Sequence, residues 1–266
     1  MERTKKAWIN VIFFAITLVI NTLGAFGIIN GMSQKEVSDM YLTPITPSPS
    51  TFSIWSIIYL LLLASLVFMI IKKEDPYYNK AVDEITILFR ISCILNIAWI
   101  VTFSYVQLGL SVIFIIGFLI SLLLICRKVA SLHNGNRWLL PLSFGIYTGW
   151  LVIATFVNIA ASLVKINWNG FGFSEEFRAI VMLIVAVLVV ILLLRRNKNA
   201  VLPLPVAWAY FGIYQQLNSG EGLEGKFMLL KIVALSGMVV LIGAAAIQLY
   251  LNKFKLLPYV SDSENR

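Results

Sequence analysis

The sequence predicts an all-α fold: a polytopic transmembrane helix bundle of about eight spans. Three observations carry that prediction. Of the 266 residues 59% are hydrophobic and only 13% are charged, with a mean hydropathy of +0.87. A soluble domain carries roughly 25% charged residues, so this chain cannot clothe a globular surface in polar groups, and its partner is the lipid bilayer. Apolar runs of span length recur at about 8–29, 51–71, 86–105, 108–126, 138–163, 177–194, 200–217 and 227–251, each close to the ~20 residues that cross a bilayer as helix. Finally, the basic residues alternate from end to end of those runs. No period-2 alternation suggests a barrel, and only helices or closed barrels satisfy their own backbone in lipid.

The first run, from Trp8, is too long for the apolar core of a signal peptide and lacks a small-residue cleavage site after it, so it reads as a retained span. The 30–50 connection is the longest expected on its side, and its end is stiffened by Pro44, Pro47 and Pro49. The second span begins directly below it. Val106-Gln107 leaves so short a gap that spans three and four form a tight hairpin. Gly145 and Gly149, four apart in span five, could admit a neighbouring helix closely. The loop around Trp168-Asn169-Gly170-Phe171-Gly172-Phe173 is aromatic enough to sit at an interface, and Glu175 and Glu176 read as solvated caps at the start of span six. Pro203-x-Pro205 opens span seven. The polar tail from Ser261 is expected to be disordered.

With the N-terminus placed inside, the inner segments hold Arg3, Lys5 and Lys6, then Lys72, Lys73 and Lys80, then Arg127, Lys128 and Arg137, then Arg195, Arg196 and Lys198, and last Lys253, Lys255 and Arg266. The outer side holds only Lys35, Lys165, Arg178, Lys226 and Lys231, while Arg90 lies one turn into span three and can snorkel inward. Fifteen against five is a positive-inside pattern. It predicts a multi-pass protein of the cell membrane with both termini cytoplasmic. It also removes nucleic acid as a partner: the +8 net charge is distributed as topology signals, not as a binding patch.

Catalytic and metal-binding patterns are absent from the sequence. There is one histidine, His133, in an expected inner loop. Cys93 and Cys126 lie in apolar runs and read as small core residues. No Asp or Glu lies well inside a span, which leaves a proton relay or ion-coupled pump without a carrier.

The embedded polar residues are Asn21, Asn96 and Asn158, and helical spacing sorts them with aromatics. Phe52, Trp55 and Tyr59 fall on one stripe of span two. Asn96, Trp99 and Phe103 repeat that spacing on span three, and Tyr147, Trp150, Ala154 and Asn158 continue it on span five. If the stripes converge they enclose an apolar cavity with a few polar groups beneath the Pro-rich loop, the usual anatomy of a small-molecule site. The plainer readings are an interfacial belt or packing for Trp55, and interhelical glue for the asparagines, worth ~0.6 kcal/mol each. Asn21 reads as glue.

These residues resemble a known family. Pro47-Ser-Pro-Ser-Thr-Phe52-Ser-Ile-Trp55-Ser-Ile-Ile-Tyr59, Leu95-Asn96-Ile-Ala-Trp99 and Ile146-Tyr147-Thr-Gly-Trp150-Leu-Val-Ile-Ala154-Thr-Phe-Val-Asn158 are similar to the second-, third- and fifth-helix signatures of the TspO/MBR family of tryptophan-rich sensory and translocator proteins. The resemblance covers roughly 8–165 and implies a five-helix core over 1–165, with three added helices and the tail over 166–266. It implies a binding or sensory protein for a small, planar, hydrophobic ligand, a porphyrin or haem, with no cofactor required. The ligand would lie below the first loop against Trp55, Asn96, Trp99, Tyr147, Trp150 and Asn158. Loop 30–50, with its prolines, is the expected lid. Family members are often dimeric, so a homodimer is one expected assembly. Light-dependent porphyrin breakdown has been linked to the family, and transport of a small amphipathic solute or recruitment of a partner subunit by the added helices are further alternatives. The chain departs from the family pattern at Ser48 and Ser50, where the loop usually has its second Pro and its Trp, and at Ile146, where the fifth helix usually has Pro.

Overall fold

The structure is a computed structural model that describes residues 2–132, 137–219 and 226–258. His133, Arg266 and the tail from Ser261 lie outside the described residues. Among the described residues the chain is helical throughout: α1 (Arg3–Ala25), α2 (Gln34–Met40), α3 (Ile54–Ile71), α4 (Pro76–Ser104), α5 (Leu108–Ser131), α6 (Leu139–Lys165), α7 (Glu175–Asn197), α8 (Pro203–Leu217) and α9 (Met228–Leu251), with single 3₁₀ turns at Pro49–Ser53 and Gly170–Gly172. Seven of these are long and apolar enough to cross a bilayer. The expected span over 200–217 is the exception. Its helix, α8, has 15 residues, ~22 Å of helix against a hydrocarbon core of ~30 Å. Pro203 at its first position has no N–H to offer the preceding turn, and Leu202 is its N-cap.

Helices α1, α4, α5, α6 and α3 follow one another around a ring, with α3 returning to α1. Helix α6 is its most enclosed member: 72% of its apolar window is buried, against 22% for α9. Helix α8 packs on α6, α9 on α8, and α7 on α9 and α6. The close approach of α8 depends on the two glycines singled out above. A Cβ at Gly149 would overlap the Leu202 carbonyl oxygen, and one at Gly145 would strike the Asn199 amide. Asn199 in turn donates from Nδ2 to the Pro141 carbonyl at 2.8 Å.

Several boundaries differ from the sequence expectation for local reasons. Helix α4 starts at Pro76 rather than near residue 86, because Asp75 caps it by accepting from the Tyr77 N–H at 3.0 Å and Pro76 suits the first helical position. The α4–α5 hairpin is as tight as expected and turns on Val106 at φ 59°. A second helix also interrupts the 30–50 loop. Ser33 caps α2, and the Glu36 carboxylate accepts from the Ser33 N–H at 2.7 Å, a reciprocal capping box. The Ser33 backbone N–H, with its hydroxyl second, holds the Glu36 carboxyl below the usual range.

The basic clusters gather at the end of the bundle opposite that loop. There Arg3 and Lys6 pair with Asp83, Lys128 with Glu84, and Arg137 with Asp75. Arg90 turns toward α1, donating from Nε to Asn10 Oδ1 at 2.9 Å and from an Nη to the Lys6 carbonyl at 3.2 Å. Helices α7 and α9 run parallel. Glu176 accepts from the Leu230 N–H at 3.2 Å near one pair of ends, and Asn252 donates from Nδ2 to the Lys198 carbonyl at 2.8 Å near the other. Glu176 is therefore a link between helices, not only the solvated cap expected of it.

Candidate ligand-binding site

The three aromatic stripes do converge. Trp55 of α3 is the hub: its ring lies 5.4 Å from Tyr59 and 6.1 Å from Trp99 in stacked geometry, and 6.1 Å from Tyr147 and 6.2 Å from Trp150 edge-on. Phe52 meets Trp150 edge-on at 5.9 Å. Such offset and T-shaped pairs are the favoured arrangements of aromatic quadrupoles. Above them opens a cavity of about 420 Å³, within the range of small-molecule sites. Phe52, Trp55, Tyr59, Trp99, Trp150 and Asn158 line it, as do Pro47 and Pro49.

Three of the residues expected at the site lie elsewhere. Asn96, with 0% exposure, lies under the floor. It accepts on Oδ1 from Asn21 Nδ2 at 2.6 Å and donates from Nδ2 to the Tyr147 hydroxyl at 3.1 Å. The Tyr59 hydroxyl closes the chain by donating to Asn21 Oδ1 at 2.9 Å. One hydrogen-bonded string thus joins α3, α1, α4 and α6, and Asn96 and Tyr147 do not line the cavity. Pro44 is also away from it, in a turn closed by the Thr46 N–H donating to the Thr43 carbonyl at 2.9 Å.

Even the polar atoms that do line the cavity are mostly engaged. Trp99 Nε1 donates to Asn158 Oδ1 at 3.0 Å, and Asn158 Nδ2 donates to Ser111 Oγ at 3.0 Å. Trp150 differs: its indole N–H is buried without a protein partner. Burying a donor unpaired costs about 1–3 kcal/mol, a cost that α6 carries at this wall.

Two helices that the sequence alone did not assign to the site also line the cavity. Helix α1 contributes Leu18, Asn21, Thr22 and Ala25, an i, i+3, i+4, i+7 set that spacing alone could have flagged. Helix α2 contributes Gln34, Lys35, Ser38 and Asp39, with Lys35 and Asp39 ion-paired. The Pro-rich segment is packed, not draped. Its Ile45 is buried, and the Ser48 N–H donates to the Gly212 carbonyl of α8 at 3.0 Å. Ser48 Oγ donates to Gln215 Oε1 at 3.1 Å, and Trp208 Nε1 donates to the Thr51 carbonyl at 3.0 Å. The serine that stands where a second proline was expected therefore ties the loop to α8, together with Thr51.

Fold and site together define a polytopic helical membrane protein with an aromatic cavity at one end of the bundle. The chain belongs to the family described as TSPO-like protein, which it matches over residues 7–247. That match runs past the five-helix ring through α7, α8 and most of α9. No curated protein and no solved structure matches the chain.

Proposed function

We propose that the protein binds a planar hydrophobic ligand, a tetrapyrrole, in the cavity beneath loop 30–53, and that binding serves a sensory role. The observation that carries the reading is the aromatic lining: Phe52, Trp55, Tyr59, Trp99, Phe103 and Trp150 around about 420 Å³, with inner polar groups largely engaged by one another. Such a wall offers flat π faces and few competing hydrogen bonds, which suits an extended aromatic ring. The distribution of basic residues supports a cell-membrane protein with the loop end outward and both termini cytoplasmic.

Quenching of tryptophan fluorescence by protoporphyrin IX tests the reading. The wild type is expected to bind saturably, and Trp55→Ala, which removes the hub of the ring cluster, to bind at least about tenfold more weakly, roughly 1.4 kcal/mol. Equal affinity in the two proteins would sink the cavity as the site.

A further inference from the structure

The cavity has a polarity along its depth. Its floor and inner wall are aromatic, with the amides and hydroxyls there bonded to protein partners. Its mouth is polar on the α2 side, where Gln34, Ser38 and the Lys35–Asp39 pair lie. A further polar group comes from outside the five-helix ring: Gln216 of α8, 6% exposed, also lines the cavity.

Gln216 is brought to the cavity by the contacts that seat α8. Gly212 lets Thr51 approach so closely that a Cβ there would overlap the threonine hydroxyl. The Ser48 N–H bonds the Gly212 carbonyl, and Gln215 receives the Ser48 hydroxyl. Gln216 is one helical turn beyond Gly212, on the same face, so the contact that seats α8 against segment 48–51 also brings Gln216 to the cavity. At the other end of α8, the Leu202 carbonyl rests against Gly149, which fixes the helix along its axis.

We infer that α8 is a working wall of the ligand site and that Gln216 is a specificity-determining residue, facing the polar edge of the bound ligand at the mouth. This inference rests on the reading of the cavity proposed above. A ligand with a flat apolar body and ionised groups on one edge would place that edge at the mouth, since a charge held at the aromatic floor would be desolvated with no counter-ion. Charge at position 216 then acts on the ionised edge and not on the ring.

The experiment compares protoporphyrin IX, which carries two carboxylates, with its dimethyl ester, which carries none, by fluorescence quenching on the full-length protein in detergent. Gln216→Glu is expected to weaken protoporphyrin IX about tenfold and to leave the ester within about twofold of wild type. Gln216→Lys is expected to strengthen the dicarboxylate severalfold, again with the ester unchanged, a gain that misfolding cannot produce. If both ligands shift equally, or neither shifts, in both variants while the wild type binds both, this inference falls and the cavity reading stands. If the wild type binds neither ligand, the tetrapyrrole reading falls and takes this inference with it.

Discussion

The floor of the cavity and its wall both combine aromatic rings with buried polar atoms and use them in different ways. In the floor, Tyr59, Asn21, Asn96 and Tyr147 satisfy one another across four helices. In the wall, Trp150 keeps a buried N–H with no partner and Trp55 turns its ring toward open volume. A saturated string holds helices in register, because each member that is lost orphans its neighbour. At the wall the Trp99–Asn158–Ser111 bonds leave the flat faces of the rings beside the open volume, where they are available to something else. The lesson is that a polar residue inside a membrane protein is informative about binding only once its partners are known.

That contrast can be broken by substitution. Asn96→Leu should have the largest effect on stability. It strips a partner from both Asn21 and Tyr147, and the expected loss of about 2 kcal/mol exceeds the ~0.6 kcal/mol average for a single interhelical bond. A thermal-unfolding midpoint in detergent lower by several degrees would register it, and an unchanged midpoint would show that the floor is not a structural string. Tyr59→Phe removes one bond of the string and keeps the ring beside Trp55. The expected cost is about 0.6–1 kcal/mol, with porphyrin affinity nearly unchanged. The smallest stability effect is expected for Val157→Phe, which inserts a ring into existing space at the wall. Its midpoint should stay within about a degree or two of wild type while ligand binding is lost. A large fall in stability there would mean that the wall is packed as tightly as the floor.

Much of this was legible in the sequence. Apolar run length and the alternation of basic residues located the seven long helices in order and added an eighth span where the short α8 lies, and i, i+3, i+7 spacing brought Phe52, Trp55, Trp99 and Trp150 to one place. What the spacing could not separate was depth along a shared face. Asn96 lies less than one turn from Trp99, yet it falls beneath the floor while Trp99 lines the cavity. Helix α2 was readable from Ser33 and Glu36, a capping pair three residues apart, but a seven-residue helix in a polar loop has no hydropathy signature. The length of α8 and the part of Gln216 in the cavity depend on where Pro203 starts the helix and on which glycine lets Thr51 in. Those are tertiary facts, and the adjacent amides of Gln215 and Gln216 near the end of an apolar run were their only trace in the chain.

The C-terminal end of α9 bears on how the protein should be handled. The Asn252 amide holds the Lys198 and Leu256 carbonyls, at 2.8 and 3.1 Å, and the Ala200 N–H donates to the Leu256 carbonyl at 3.0 Å. Leu257 is buried. Segment 252–257 is thus a clasp on the turn that feeds α8. A purification tag or reporter fused directly after Leu251 would replace that clasp and loosen the helix that carries Gln216. Fusion after Pro258 leaves these bonds in place, so the choice of junction decides whether an engineered version still reports on the native cavity.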